Sequence, residues 1–266
     1  MLEIILLPPV MKGFISLMVV SAVFPISGVM ILRMNLLQMR FMLTHGVILG
    51  GALSLVIGAP QLPVIIAVNL LVVLLLIKLS DDDSGNPGRI SVLLMVLTIG
   101  LAGILMHKFK VAARDTLSIL WGSPFTLNVS DMIIILFIAA VLLIYAIAGF
   151  SRMNAVFFNA DLAQSAGVNV RLHRTMIIII ISLTTAAAIK LMGALLVDAL
   201  IILPAFIAAS FSGSLKKSLI NASLLGAVFG FGGFYLSVQF DLPLSGSISI
   251  LGGAAYLLVR LRRKSL

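Results

Sequence analysis

The sequence predicts an all-α, polytopic integral membrane protein, and three observations carry that expectation. Of 266 residues, 61% are hydrophobic and only 10% charged, against about 45–50% and about 25% in a soluble domain. The apolar residues gather into about nine runs of roughly the length that crosses a bilayer as a helix. No alternating ten-residue pattern suggests a β-barrel. Helices therefore remain, because they satisfy their backbone polar groups within one segment.

Taken in order, the runs lie at roughly 11–32, 41–58, 62–79, 90–107, 131–150, 175–190, 193–211, 217–238 and 246–261. The first contains Pro25 and the seventh Pro204; such breaks are tolerated where neighbouring helices satisfy the freed backbone groups. Between the third and fourth runs, Asp81-Asp82-Asp83-Ser84-Gly85-Asn86-Pro87-Gly88 reads as a loop. Its three carboxylates lack the ligand spacing of a cation site, so a solvated loop is the simpler reading. Asn128-Val129-Ser130 fits a glycosylation sequon too short to carry weight. Asn159-Ala160-Asp161-Leu162-Ala163-Gln164-Ser165-Ala166-Gly167-Val168 reads as a short amphipathic helix with an Asn start and a Gly stop. Near Lys190–Gly193 one kinked or re-entrant segment is the alternative to a turn, which makes eight spans possible. The whole chain, 1–266, forms one transmembrane domain, with the short cytoplasmic helix at about 159–170 and no room for a separate soluble domain.

Charge gives the orientation. The chain carries 18 basic and 9 acidic residues, net +9. Placing the loop after the first run in the cytoplasm puts Arg33, Arg40, Lys78, Arg89, Arg152, Arg171, Arg174, Lys216, Lys217, Arg260, Arg262, Arg263 and Lys264 inside. Lys12, Lys108, Lys110, Arg114 and Lys190 then lie outside or in a span. This 13-to-5 division satisfies the positive-inside rule, with the N-terminus external and the C-terminus cytoplasmic. The same rule explains the basic balance without nucleic acid. No basic stretch precedes Lys12, unlike a cleavable signal peptide.

Several chemistries are missing from the sequence. With no cysteine there is no disulfide or thiolate metal site. No Gly-x-x-x-x-Gly-Lys-Ser/Thr phosphate loop occurs. No His-Glu-x-x-His occurs, Glu3 being the only Glu, and no Gly-x-Ser-x-Gly elbow or paired Ser and His stands out. The sequence does not read as an enzyme.

Ionisable residues inside spans are costly and are functional candidates. His45, preceded by Thr44, lies in the second run and Asp198 in the seventh, with Lys190 just before it and His107 at the end of the fourth. An imidazole and a carboxylate together suit Zn²⁺, Mn²⁺ or Fe²⁺ on a cation path. The structural alternatives are a packing histidine bonded to a backbone carbonyl, and an Asp198–Lys190 pair. Eight residues on a straight helix separate the latter by about 12 Å, too far for contact without a break. Met34, Met39 and Met42 precede His45; thioethers prefer Cu(I), but packing explains methionines more simply.

At the level of motifs, the chain resembles the permease subunits of bacterial ABC importers for zinc, manganese and iron(II). The residues are Arg33-Met34 with Leu43-Thr44-His45-Gly46; Leu120-Trp121-Gly122-Ser123; Asn159-Ala160-Asp161-Leu162-Ala163 with Gly167-Val168; Lys190-Leu191-Met192-Gly193 with Ala199 to Ala205; and Phe240-Asp241-Leu242-Pro243-Leu244-Ser245-Gly246. Their order and spacing follow the family over nearly the whole chain. Two positions depart from it. The family's Asp, four residues before the histidine, is Phe41 here, and Asp198 stands where the family has a small or hydroxyl residue. The resemblance implies alternating access by a pair of permeases, most simply a homodimer, in the bacterial plasma (inner) membrane. It implies an extracytoplasmic binding protein and two cytoplasmic ATPases, which bind the ATP and Mg²⁺ that this chain does not. Asn159, Asp161, Leu162, Ala163 and Gly167 are then the coupling segment. His45 and Asp198 are the metal candidates, with Thr44, Phe41 and Lys190 as path neighbours. An ATP-independent transporter or channel, an ABC permease for another substrate, and a membrane scaffold are the alternatives; no convincing inverted repeat favours a secondary transporter.

Overall fold

The computed structural model describes residues 8–80, 87–111, 124–193 and 197–264. Among them there is no strand. The helices are α1 (Pro8–Val23), α2 (Pro25–Arg33), α3 (Leu37–Ile57), α4 (Gln61–Ser80), α5 (Pro87–Lys108), α6 (Val129–Ala148), α7 (Phe150–Phe158), α8 (Ala160–Ser165), α9 (Val170–Met192), α10 (Leu203–Phe211), α11 (Leu215–Phe240) and α12 (Leu244–Lys264). A 3₁₀ turn spans Pro124–Thr126, and a π-helical turn, Asp198–Ile202, leads into α10.

Eight helical stretches among the described residues are long and apolar enough to cross a membrane, α1 and α2 together forming the first, Val10–Arg33. The ninth expected run, 193–211, differs. It contributes only the short apolar segment Asp198–Phe211, roughly 21 Å at 1.5 Å per residue, short of the about 30 Å of hydrocarbon. The reason is local. Gly193, at φ +87°, ends α9. The next turn is wide: the Leu203 amide reaches back five residues to the Asp198 carbonyl. Pro204, which has no amide proton, follows at once.

The interior is held by close backbone approach. α1 and α2 are interrupted at Phe24 because Pro25 cannot donate to the Ser21 carbonyl. The neighbouring helix α11 covers this break. Ser223 Oγ donates to the Ala22 carbonyl, and a Cβ on Gly226 would run into the Ser21 carbonyl and the Pro25 ring. Gly230 lies against Ser21 and Gly233 against Ile248 of α12. This is the small-residue packing that lets membrane helices approach without a hydrophobic driving force. On the other side, Gly46 and Gly50 of α3 pack on Asn69 and Ile65 of α4. Gly28 of α2 sits directly on the Ile201 carbonyl of the π-turn, so the break after α9 is seated on the most buried span.

Peripheral helices expose apolar side chains, for example Leu97 and Ile104 on α5 and Leu257 on α12, as expected of surfaces that meet lipid. Met39 and Met42 are wholly buried in the core, where Met34 also packs; their role is to fill space. Asn128 opens α6, its amide donating to Asp131 Oδ2 at 3.3 Å, a local use of the sequon-like triplet. Two features between α6 and α9 differ from the expectation. An additional helix, α7, follows Gly149. The helix expected over about 159–170 is shorter, since Gly167 turns left-handed at φ +81° and Asn169 Oδ1 already caps α9 by accepting from the Leu172 amide at 3.0 Å.

Gly226→Leu should lower the stability of the detergent-solubilised protein by at least the about 1–3 kcal/mol typical of overpacking. Gly103→Leu, at a glycine with open space around its Cβ position, is the matched control. Thermal unfolding of both variants should separate them, and equal midpoints would refute the packing argument.

Candidate functional site

The first two turns of α3 and the π-turn meet at one place. Arg40 Nη1 forms an ion pair with Asp198 Oδ1. The Arg40 side chain is 7% exposed and that of Asp198 45% exposed, although Oδ1, the oxygen that faces Arg40, is itself buried. The guanidinium carbon stands 4.1 Å from the centre of the Phe41 ring, within cation–π range. Arg40 Nε has no hydrogen-bond partner among the described residues.

One turn further along α3, Thr44 Oγ1 donates to the Arg40 carbonyl at 3.1 Å. His45 Nδ1 lies 2.7 Å from the Phe41 carbonyl. A carbonyl only accepts, so that contact places the proton on Nδ1 and leaves the Nε2 lone pair free in the neutral ring. Behind it, Gly46 lies against Asn69, whose fully buried amide has no partner among the described residues. Asp198 thus reaches α3 at Arg40, while His45 lies five residues further along the same helix and is bonded one turn back to the Phe41 carbonyl. Among the described residues no group of three or more His, Cys, Asp or Glu side chains is placed to hold a metal.

Lys190 is engaged elsewhere. Its Nζ donates to Gln61 Oε1 at 2.6 Å, tying the end of α9 to the start of α4. The structural partner of Asp198 is thus Arg40 and not Lys190. The break at Gly193 that such a Lys190 pair required does exist, but it delivers Asp198 to α3. His107 is exposed at the end of α5. Asp81, Asp82, Asp83, Ala194, Leu195 and Leu196, and the Leu120-Trp121-Gly122-Ser123 motif, lie outside the described residues.

In the expected coupling segment, Asn159 Oδ1 accepts from the amides of Asp161 at 2.9 Å and Leu162 at 3.0 Å, and so starts α8. Leu162 projects outward, 60% exposed, with Phe158 also exposed, while Ala163 is buried. A cleft of about 1030 Å³ separates the α8–α9 turn from the α2–α3 turn; Gln164, Asn169 and Arg174 line one side, Asn35, Leu36 and Gln38 the other.

Arg40 is the residue that sequence reasoning missed. The second run was drawn from Phe41, so Arg40 fell one position outside it and counted as a loop cation. Helix α3 begins at Leu37, which brings Arg40 into the span. The signal was present: a lone carboxylate in an apolar segment needs a counter-charge, and Arg40 sits beside the histidine's own turn.

Comparison with known proteins agrees with this architecture. The chain is similar to the high-affinity zinc uptake system membrane protein ZnuB of Haemophilus influenzae, 24% identical over 265 residues, 98% of this chain and 99% of that one. It is 25% identical over 246 residues to the manganese transport system membrane protein MntC of Listeria monocytogenes, covering 90% and 85%. Among solved structures, a chain of PsaBC from Streptococcus pneumoniae in complex with Fab has the same fold, with a TM-score of 0.83 at 21% identity over 97% of this chain and 93% of that one. Residues 7–263 match the ABC 3 transport family, and with almost the whole chain inside that match, the protein belongs to the ABC 3 transport family.

Proposed function

We propose that this chain is the membrane permease of an ATP-driven importer that carries a divalent metal ion, zinc or manganese, into the cytoplasm. The observation that carries the reading is the family match over residues 7–263, joined to the roles of the relatives in zinc uptake and manganese transport. The absent phosphate loop fits it, since a transporter with no nucleotide site of its own must borrow one. ATP and Mg²⁺ belong to two cytoplasmic ATPase subunits, and an extracytoplasmic binding protein supplies the ion.

His45 Nε2 and the Asp198 carboxylate are the metal ligands in this reading, with Thr44 and Phe41 beside them. Nitrogen and carboxylate oxygen suit both Zn²⁺ and Mn²⁺. Two ligands from one chain make an incomplete shell; a two-fold dimer with the path on its axis supplies four. The ion is cargo, so a shell that binds firmly but opens on rearrangement is what alternating access requires. Leu162 and Phe158, exposed on the α7–α8 surface, form the apolar anchor for the ATPase. Asn159, Asp161 and Gly167 shape the short helix, and Ala163 roots it.

Three experiments test this. His45→Ala and Asp198→Asn should each reduce radiolabelled Mn²⁺ or Zn²⁺ uptake in cells at least tenfold while the permease still inserts and assembles; normal uptake in both variants would place the ion path elsewhere. Leu162→Asp should weaken co-purification of the ATPase at least tenfold with permease yield unchanged, and retention of the ATPase would sink the docking assignment. Reporters fused to both termini test the 13-to-5 basic division, which needs an odd number of crossings and therefore a crossing by the short segment Asp198–Phe211 in addition to the eight long spans: an external N-terminus with a cytoplasmic C-terminus supports it, and both termini on one side leave eight crossings and overturn it.

A further inference from the structure

We propose that Arg40 is a tethered competitor for the transported cation: its guanidinium occupies the Asp198 carboxylate, and a divalent ion takes that carboxylate only by moving the guanidinium aside. This rests on the metal reading of the preceding subsection and assigns the residue that sets the affinity of its site.

Four features of the site lead there. First, Arg40 is permanently charged and buried in a span, and its counter-ion among the described residues is Asp198. Second, the Asp198 side chain is half open while that of Arg40 is not; Oδ1, which faces Arg40, is buried, so an incoming ion reaches the residue from its open side without first unburying Arg40. Third, the guanidinium does not use its full fork. Nε is unpartnered, so the side of the fork that pairs Nε with an Nη is not engaged. Fourth, the half-exposed Phe41 ring already lies 4.1 Å from the guanidinium carbon; that contact does not depend on the carboxylate, so it stays with the cation when the carboxylate is taken.

The consequence is selectivity by charge. A monovalent ion exchanging for a guanidinium gains nothing in Coulomb energy at the carboxylate. A divalent ion doubles the charge there and adds a coordinate bond to His45 Nε2, which a guanidinium, having only donors, does not make. The same competition keeps divalent affinity modest, because every bound ion has displaced an internal one. Release is then assisted by return of Arg40.

The test is equilibrium binding of Mn²⁺ and Zn²⁺ alone to the purified permease–ATPase complex, with Arg40→Lys, Arg40→Gln and Arg40→Gln/Asp198→Asn beside the wild type. Arg40→Gln should bind Mn²⁺ at least tenfold more tightly, and the double variant should lose that gain. Arg40→Lys keeps the charge, and so keeps the fold if the neutral variant does not assemble. It holds the carboxylate as a point charge rather than a planar donor, and should bind Mn²⁺ severalfold more tightly than wild type. Binding unchanged or weakened in whichever single variants assemble overturns the proposal while leaving the metal reading intact. Absence of Mn²⁺ and Zn²⁺ binding in the wild type and every assembled variant overturns both.

Discussion

A guanidinium buried among membrane helices must find a negative charge, and in this protein that requirement joins parts of the fold that backbone packing alone would not. Removing one member of a buried pair costs about 3–5 kcal/mol because the other is left uncompensated. Arg40 therefore fixes where Asp198 must lie, and Asp198 fixes the π-turn. The π-turn is in turn seated on α2 through Gly28 and Ile201. A loop-like interruption thus becomes a rigid part of the core, with one polar contact on α3 and one close contact on α2.

The second constraint is the same one in neutral form. Each interruption of a helix frees backbone groups that lipid cannot satisfy. At Pro25 the neighbouring helix answers with Ser223 on the Ala22 carbonyl and with glycines that bring α11 over Ser21. At Pro204 the answer is internal: the wide turn from Asp198 to Leu203 rearranges the bonds before the proline is reached. π-turns recur at functional sites in other proteins, and here the turn carries the carboxylate that pairs with Arg40. The chemistry of the site and the repair of the backbone are one feature.

Most of the fold was readable because hydrophobic runs of bilayer length leave few alternatives. The boundaries of α4, 62–79 expected and Gln61–Ser80 observed, needed only composition. Run 193–211 takes the kinked form that left eight spans open: Gly193 ends α9 and only the short segment Asp198–Phe211 follows, through a π-turn and Pro204. The misses have physical causes. α7 was missed because Phe150–Phe158 carries Ser, Arg and Asn among its apolar residues and follows a span without a polar turn to announce it. Arg40 was misplaced by a rule that starts a span at its first apolar residue, whereas the helix starts where its backbone bonds do. Which polar groups meet depends on the packing of α3 against the π-turn, and nothing in local sequence encodes a contact between residues 40 and 198.

That separation in sequence also bears on what the pair can do. A carboxylate at position 41, where the resemblance places the family's Asp, would share a helix with Arg40, and neighbours at i and i+1 do not face each other. Its electrostatic state would not change when helices move relative to one another. Asp198 belongs to a different element, so the Arg40–Asp198 contact exists only while α3 and the π-turn keep their present separation. α2 packs on that turn, and the α2–α3 turn forms one wall of the cleft whose other wall is the α8–α9 turn. A rigid-body shift of α3 away from the π-turn exposes a carboxylate and an unpaired cation together; a shift back closes both. In the proposed path, a carboxylate on the π-turn makes the charge of the site follow the relative position of two elements, the property that alternating access needs and that a pair confined to one helix lacks.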